Sequence, residues 1–246
     1  GEIMVLIQFY NKPKLIEDFL KKILNEFPNI SSLLYVINKK ANDTLYDQEI
    51  VCYYGNDHIY EKIGKLRFKI NAKSFYQTNS DQTKELYKIV KKFADVKSNE
   101  IIYDLYSGIG TISIIISEHA KKVIGIECVN DAVKAAIENK KLNSIKNVNF
   151  FCGEIRKVLN NDFLEENGAP DTIIVDPPRS GMHKKVIHKL LDIGPKKIVY
   201  VSCNSATQAR DLDLLKESYT VNYSQSVDMF PQTYHVENVV LLEKTT

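Results

Sequence analysis

IIYDLYSGIGTISIIISEHAKKVIGIE, residues 101–127, is the stretch on which the reading of the fold turns. Ile101–Leu105 is an apolar run of strand length, and Gly108 and Gly110 follow it directly. A helix-like run comes next, then a second apolar run, Lys122–Ile126, which ends in the acidic Glu127. Strand, glycine turn, helix and strand make one βαβ unit, whose two strands lie parallel.

The same alternation continues downstream. Strands are predicted near Val148–Phe151, Thr172–Val175 and Lys197–Ser202, with helices between them. Two further strands, near Val221–Asp228 and Val236–Leu242, are joined by too short a loop to hold a crossover helix, so they must be antiparallel neighbours. Five parallel strands and a closing hairpin describe an α/β, Rossmann-like sheet with a reversed edge strand. Upstream the pattern differs. Ile3–Phe9, Leu33–Ile37, Glu49–Tyr54 and Leu66–Ile70 read as strands, and Lys14–Phe27 as an amphipathic helix stopped by Pro28. The chain therefore divides into a small α+β domain, 1–72, and the sheet domain, 73–246, which opens with a helix over Ser80–Phe93.

Composition narrows the function classes. The 246 residues are 44% hydrophobic and 26% charged, ordinary for a globular protein, and carry a net charge of only +2. No apolar run approaches the roughly 20 residues of a membrane span, and no secretory signal opens the sequence. It begins GEIMVLIQFY, a strand without an initiator Met, which suggests a piece of a longer protein. Cys52, Cys128, Cys152 and Cys203 are widely spaced, with no Cys-x-x-Cys pair. They suit a reducing cytoplasm and give no support for zinc or iron–sulfur, so no metal is expected. Lysines are locally dense in two runs, Lys62 to Lys73 and Lys84 to Lys97. Each reads more readily as a solvated face than as a site, though together they leave room for a polyanion.

The ends of the strands carry the chemistry. Gly108 and Gly110 let the backbone turn tightly and approach a ligand. Glu127 ends the next strand, where a carboxylate can take both hydroxyls of a ribose. A nicotinamide cofactor would use the same geometry, but Asp104, placed at the turn, suits a cationic ligand such as S-adenosylmethionine better than a pyrophosphate. In DTIIVDPPRSG, Asp176 ends the fourth strand and two prolines stiffen the loop behind it. In IVYVSCNSATQARDL, Cys203 ends the fifth. A thiol is an unusual group for methylating nitrogen or oxygen. It makes sense where a carbon must first be made nucleophilic, as at C5 of uracil: thiolate adds to C6, C5 takes the methyl, and a base then removes the C5 proton. Glu237 and His235, in FPQTYHVEN, share one face of the last strand and compete for the role of base.

These motifs, with SFYQTN and GIE, fall in the order and spacing of a known family. The chain resembles the RNA uracil-C5 methyltransferases, which make 5-methyluridine in 23S ribosomal RNA and transfer RNA, from about Ser74 to the end. Its first 70 residues resemble their central domain more loosely. The resemblance implies Cys203 as nucleophile and Glu237 as base, with Gln77, Tyr106, Glu127 and Asp176 around the cofactor and target base, beside the Gly108 already read from the glycine turn. It also implies S-adenosylmethionine as cofactor, RNA as partner, and a monomer in the cytoplasm. FPQT and HVEN are closer to the ribosomal RNA branch, which makes 23S RNA the first expectation and the tRNA T-loop the alternative. Neither the amino-terminal OB-like domain of many members nor the cysteine-rich iron–sulfur motif of some is read in this sequence. A catalytically idle RNA-binding factor is the competing reading from another class; the presence of both Cys203 and Glu237 argues against it.

Overall fold

The computed structural model describes residues 1–40, 45, 47–233 and 236–245. The chain divides into two compact units, Gly1–Phe75 and Tyr76–Thr246.

In the first unit, β1 (Met4–Phe9) and β2 (Ser32–Ile37) lie parallel, joined through α1 (Ile16–Glu26), and β3 (Ile50–Gly55) pairs antiparallel with β2. Ile16, Leu20, Ile30 and Leu33 close a small core between helix and sheet. β4 (His58–Ile63) and β5 (Leu66–Asn71) form a separate hairpin. β4 is not among the strands predicted from the sequence. Its residues, HIYEKI, do alternate, but their charges leave only short apolar steps to read.

The second unit holds α2 (Ser80–Ala94), β6 (Ile101–Leu105), α3 (Thr111–Ile116), β7 (Lys122–Glu127), α4 (Asn130–Leu142) and β8 (Val148–Cys152). The short helices α5 (Ile155–Val158) and α6 (Asn161–Asn167) lead to β9 (Thr172–Val175), α7 (Lys184–Ile193), β10 (Lys197–Ser202), α8 (Ser205–Leu215), β11 (Tyr219–Val227) and β12 (Glu237–Lys244). The sheet order is β11-β12-β10-β9-β6-β7-β8, with β6 to β10 mutually parallel and β12 antiparallel to both of its neighbours. The central strands are buried almost throughout, as strands covered on both faces must be. Tyr103, Ile124, Ile173, Ile198 and Leu242 belong to one continuous core.

One expectation is corrected. The reversed strand is not the edge strand: β12 is inserted between β10 and β11, and β11 takes the edge. The reason lies in composition. β12 offers Val239, Val240, Leu241 and Leu242, all buried, whereas β11 is exposed along its whole middle. The apolar member of the hairpin takes the buried place.

The chain runs from β6 outward to β8, then returns through β9 on the other side of β6. That reversal leaves a crevice outside the carboxyl ends of β6 and β9, where open α/β sheets bind ligands.

Candidate active site

At the crevice, the loop after β6 is fastened to the end of β7. The amides of Tyr106 and Ser107 both donate to the Ile126 carbonyl, at 2.9 and 3.2 Å. The Gly108 amide donates to Oε2 of Glu127 at 3.0 Å, and the Val129 amide to Oε1 at 2.9 Å. Glu127 is thus fixed at both oxygens and keeps lone pairs for further donors, as ribose hydroxyls would be. Gly108 has φ +53°, and a Cβ there would meet nothing within 4 Å, so the loop is open beside the carboxylate. Tyr106 holds φ +66°, a left-handed conformation that costs a residue with a Cβ free energy and is found at functional loops.

Asp104 is corrected in position. It lies inside β6, 1% exposed, and not at the turn. The Ser113 hydroxyl donates to its Oδ2 at 2.5 Å, while Oδ1 is buried without a partner among the described residues. Burial pushes its carboxyl up to about 7, with the nearby Glu127 charge adding to the rise. Asp176, at the end of β9, is pushed well above the carboxylate range by burial, then by Glu237 and Asp104. Buried carboxylates with no cationic partner among the described residues fit a cationic ligand such as the sulfonium and ammonium of S-adenosylmethionine. Tyr87 of α2 is a residue that sequence reasoning missed. It is buried, with its hydroxyl near enough to Asp176, Tyr76 and Asp104 for their charges to raise it further. Gln77 is buried just ahead of α2, beside that same Tyr76, and its carbonyl accepts from Thr83 Oγ1 at 3.5 Å.

The second half of the site forms where β10 meets β12. Ser202 pairs with Asn238, so one further step brings Cys203 opposite Glu237. Cys203 is partly exposed and Glu237 is buried. Burial pushes the Cys203 thiol up, and the charges of Glu237 and Asp176 push the same way. Burial also raises Glu237. The positive charge of Arg179 opposes both shifts. Sequence reasoning missed Arg179, although its place directly after Asp-Pro-Pro is a signal of sorts. His235, the competing base, lies outside the described residues.

The loop bearing Asp176 and Arg179 is sewn to the start of α8. The Arg179 carbonyl accepts from Asn204 Nδ2 and from Thr207 Oγ1, both at 3.1 Å. Asn204 also caps α8, accepting from the amides of Ala206 and Thr207. Asp211, fully buried, accepts from the Met182 amide and the Tyr200 hydroxyl, each at 2.7 Å. Cys203, Arg179, Asn204, Ser224, Ser226 and Asn238 line an open cleft of about 720 Å³. Asn238 Oδ1 accepts from Ser224 and Ser226, and its Nδ2 donates to Gln208 Oε1, which anchors the residue next to Glu237. The structure thus places Tyr106, Gly108, Glu127 and Asp176 along one sheet edge, and sets Cys203 and Glu237 beside them.

The sheet order, the reversed last strand β12 and the glycine loop against an acidic strand end define the Rossmann-like methyltransferase fold. Solved structures share it: the tRNA m1G37 methyltransferase of Methanocaldococcus jannaschii covers 100% of this chain and 73% of its own, with a TM-score of 0.67 at 16% identity. The sequence profile of the tRNA (Uracil-5-)-methyltransferase family matches residues 51–245, and the chain belongs to that family. An uncharacterised RNA methyltransferase of Porphyromonas gingivalis is 50% identical over 100% of this chain and 54% of its own length. One from Enterococcus faecalis is 42% identical over 99% and 54%. The chain spans about half the length of the curated relatives it matches. The Pyrococcus abyssi tRNA (uracil-54, C5)-methyltransferase, solved with S-adenosyl-L-homocysteine, is 32% identical with a TM-score of 0.77, over 98% of this chain and 56% of that one.

Proposed function

We propose that this chain is the catalytic part of an S-adenosylmethionine-dependent enzyme that methylates C5 of a uridine in RNA through a covalent bond from Cys203 to C6. The observation that carries the reading is the register that pairs Ser202 with Asn238 and so brings Cys203, one residue past β10, to the start of β12 at Glu237, with the Arg179 charge acting on both. A thiol facing a buried carboxylate has little use in simple transfer to a lone pair. It has a direct use where one group must add to a ring and another must take a proton from it.

S-adenosylmethionine, when bound, supplies an electrophilic methyl group. Glu127, fixed by the Gly108 amide, would hold its ribose, and the open space at Gly108 would give the ligand room. Asp104 and Asp176 would lie toward its cationic end, and Tyr106 and Gln77 would complete the pocket. Arg179 favours the thiolate of Cys203, which adds to C6 and drives the electron pair toward the C4 carbonyl. C5 then takes the methyl group. Glu237 accepts the C5 proton, the C5–C6 double bond re-forms, and the thiolate is expelled. The target base must leave its stack to reach the cleft.

The FPQT and HVEN motifs favour 23S ribosomal RNA as substrate. The family description and the Pyrococcus enzyme favour the tRNA T-loop as a second reading. The small domain, 1–72, contacts the RNA, and the enzyme acts as a cytoplasmic monomer.

Incubation with S-adenosylmethionine and 5-fluorouridine-substituted RNA tests this. Fluorine at C5 cannot leave as a proton does, so a methylated protein–RNA adduct should persist and map to Cys203 by mass spectrometry. 23S and tRNA fragments tried side by side identify the substrate. An adduct at another residue, or none with either RNA, would overturn the proposal.

A further inference from the structure

The inward face of α8 is polar where a helix packed on a sheet is ordinarily apolar. Its buried residues are Gln208, Asp211 and Leu215, which share one face by their spacing. A buried polar group costs free energy unless it is hydrogen-bonded. Gln208, 2% exposed, is bonded to two strands at once. Its Nε2 donates to the Tyr200 carbonyl of β10 at 3.0 Å and to the Asn238 carbonyl of β12 at 3.3 Å. Its Oε1 accepts from Asn238 Nδ2 at 2.7 Å. Backbone carbonyls only accept, so the Gln208 nitrogen must face them and its oxygen must face the Asn238 amide. That orientation in turn directs Asn238 Oδ1 to the hydroxyls of Ser224 and Ser226. The two strands so joined are the ones that deliver the reacting pair: Cys203 follows Tyr200 on β10, and Glu237 directly precedes Asn238.

We infer that Gln208 is a positioning residue for product release, holding Glu237 where it takes the C5 proton beside Cys203. The inference rests on the reading of Glu237 as the base. The β10–β12 ladder ends at Ser202 and Asn238, so Glu237 stands one residue past the last pair with β10. Its ladder partner is Val227 of β11, the exposed edge strand. The start of β12 is therefore held against β10 through Asn238, and Gln208 holds Asn238 by backbone and side chain together. Neighbouring residues on a strand face opposite ways. Asn238 turns its side chain to Gln208 on the α8 side, so Glu237 turns to the other. Gln208 thus acts from behind the sheet and reaches Glu237 through the backbone.

The addition step depends less on this contact. Cys203 follows a strand that is paired on both sides, where Tyr200 lies opposite Val175 of β9 and Val240 of β12. Loss of the Gln208 amide leaves those pairs in place and frees the start of β12. The expected signature is therefore selective: the thiol still adds and C5 still takes the methyl group, while proton removal slows. A displacement of about 1 Å at a reacting group costs on the order of a hundredfold in rate.

The test follows the methylated protein–RNA adduct on a denaturing gel, with natural uridine in the RNA and S-adenosylmethionine present. Gln208→Met keeps the length of the side chain and removes all three bonds. It should bind S-adenosylhomocysteine as the parent does by calorimetry and form the adduct at the parental rate. It should release methylated RNA about 10- to 100-fold more slowly. Leu215→Ala loosens the same helix face without touching a bond to either strand, so its Tm should fall while release stays parental. Parental release by Gln208→Met would overturn the inference, as would equal retention of the adduct by Leu215→Ala. Should Gln208→Met bind no S-adenosylhomocysteine, Asn238→Ala, which removes the 2.7 Å bond from its other end, decides by the same criterion. Glu237→Gln run in parallel separates the two readings. Normal release by Glu237→Gln would overturn the base assignment and this inference with it. Retention by Glu237→Gln beside parental release by Gln208→Met would overturn the inference alone.

Discussion

The surroundings of Cys203 favour the thiol over the thiolate that the proposed reaction needs, and the Arg179 charge is what opposes them. Asp104 shows the same tension in a form that can be measured without RNA. Its carboxyl titrates at about 7 in the folded chain against 3.8 for an ordinary aspartate, because burial disfavours its charge. Between those values the folded state holds a proton that the unfolded state has lost. Stability contributed by this group is therefore full below about 4, falls as pH rises, and is gone above about 7. Asp104→Asn removes the titration. The variant should gain on the parent as pH rises from about 5 to about 8, by an amount of order a few kcal/mol. Thermal melts at the two pH values check this, and parallel curves would contradict it. The sequence made the carboxylate visible but not its depth. Its place one residue before the strand end, rather than at the turn, decides whether water reaches it.

At the scale of elements, the site depends on how the loop after β9 is held to α8. Asn204 does two things: its Oδ1 caps the helix, and its Nδ2 holds the Arg179 carbonyl. Asn204→Ala loses both. Loss of the cap costs about 1–2 kcal/mol, a fall in Tm of roughly 2–8 °C. Asn204→Asp keeps the cap but has no donor for the carbonyl. It should recover most of the Tm and still show a lowered rate of RNA adduct formation, because Arg179 is released. If Asn204→Asp matches the parent in rate, the loop is held by Thr207 alone and the argument fails. The helix start at Ser205 was legible from its motif. The contact that makes it matter was not, because Arg179 and Asn204 lie 25 residues apart and only the sheet brings them together.

At the scale of the whole molecule, the parallel strands were the most legible part, because strands buried on both faces must read as continuous apolar runs. Ile101–Leu105, Thr172–Val175 and Lys197–Ser202 appear where their residues predict them. The place of the hairpin was not legible. Antiparallel pairing follows from the short loop, but which member lies inward is settled by burial of Val239 to Leu242 against β10. That choice is what brings Glu237 to Cys203. Tyr87 was hidden for a similar reason: on α2 it is one apolar position among many, and only the folded unit sets its hydroxyl near Asp176 and Asp104.

The central claim is that Cys203 adds to the base and Glu237 releases the product, and Glu237→Gln tests it most directly. The carboxamide keeps the size of the side chain but cannot accept the C5 proton. With natural uridine in the RNA and S-adenosylmethionine present, the variant should still bond Cys203 to C6 and still methylate C5, and then fail to let go. A protein–RNA adduct carrying the methyl group, stable on a denaturing gel and absent from the parent, is the predicted result. Loss of adduct and methylation together would show that Glu237 only orients the base. Normal release of methylated RNA would show that another group takes the proton.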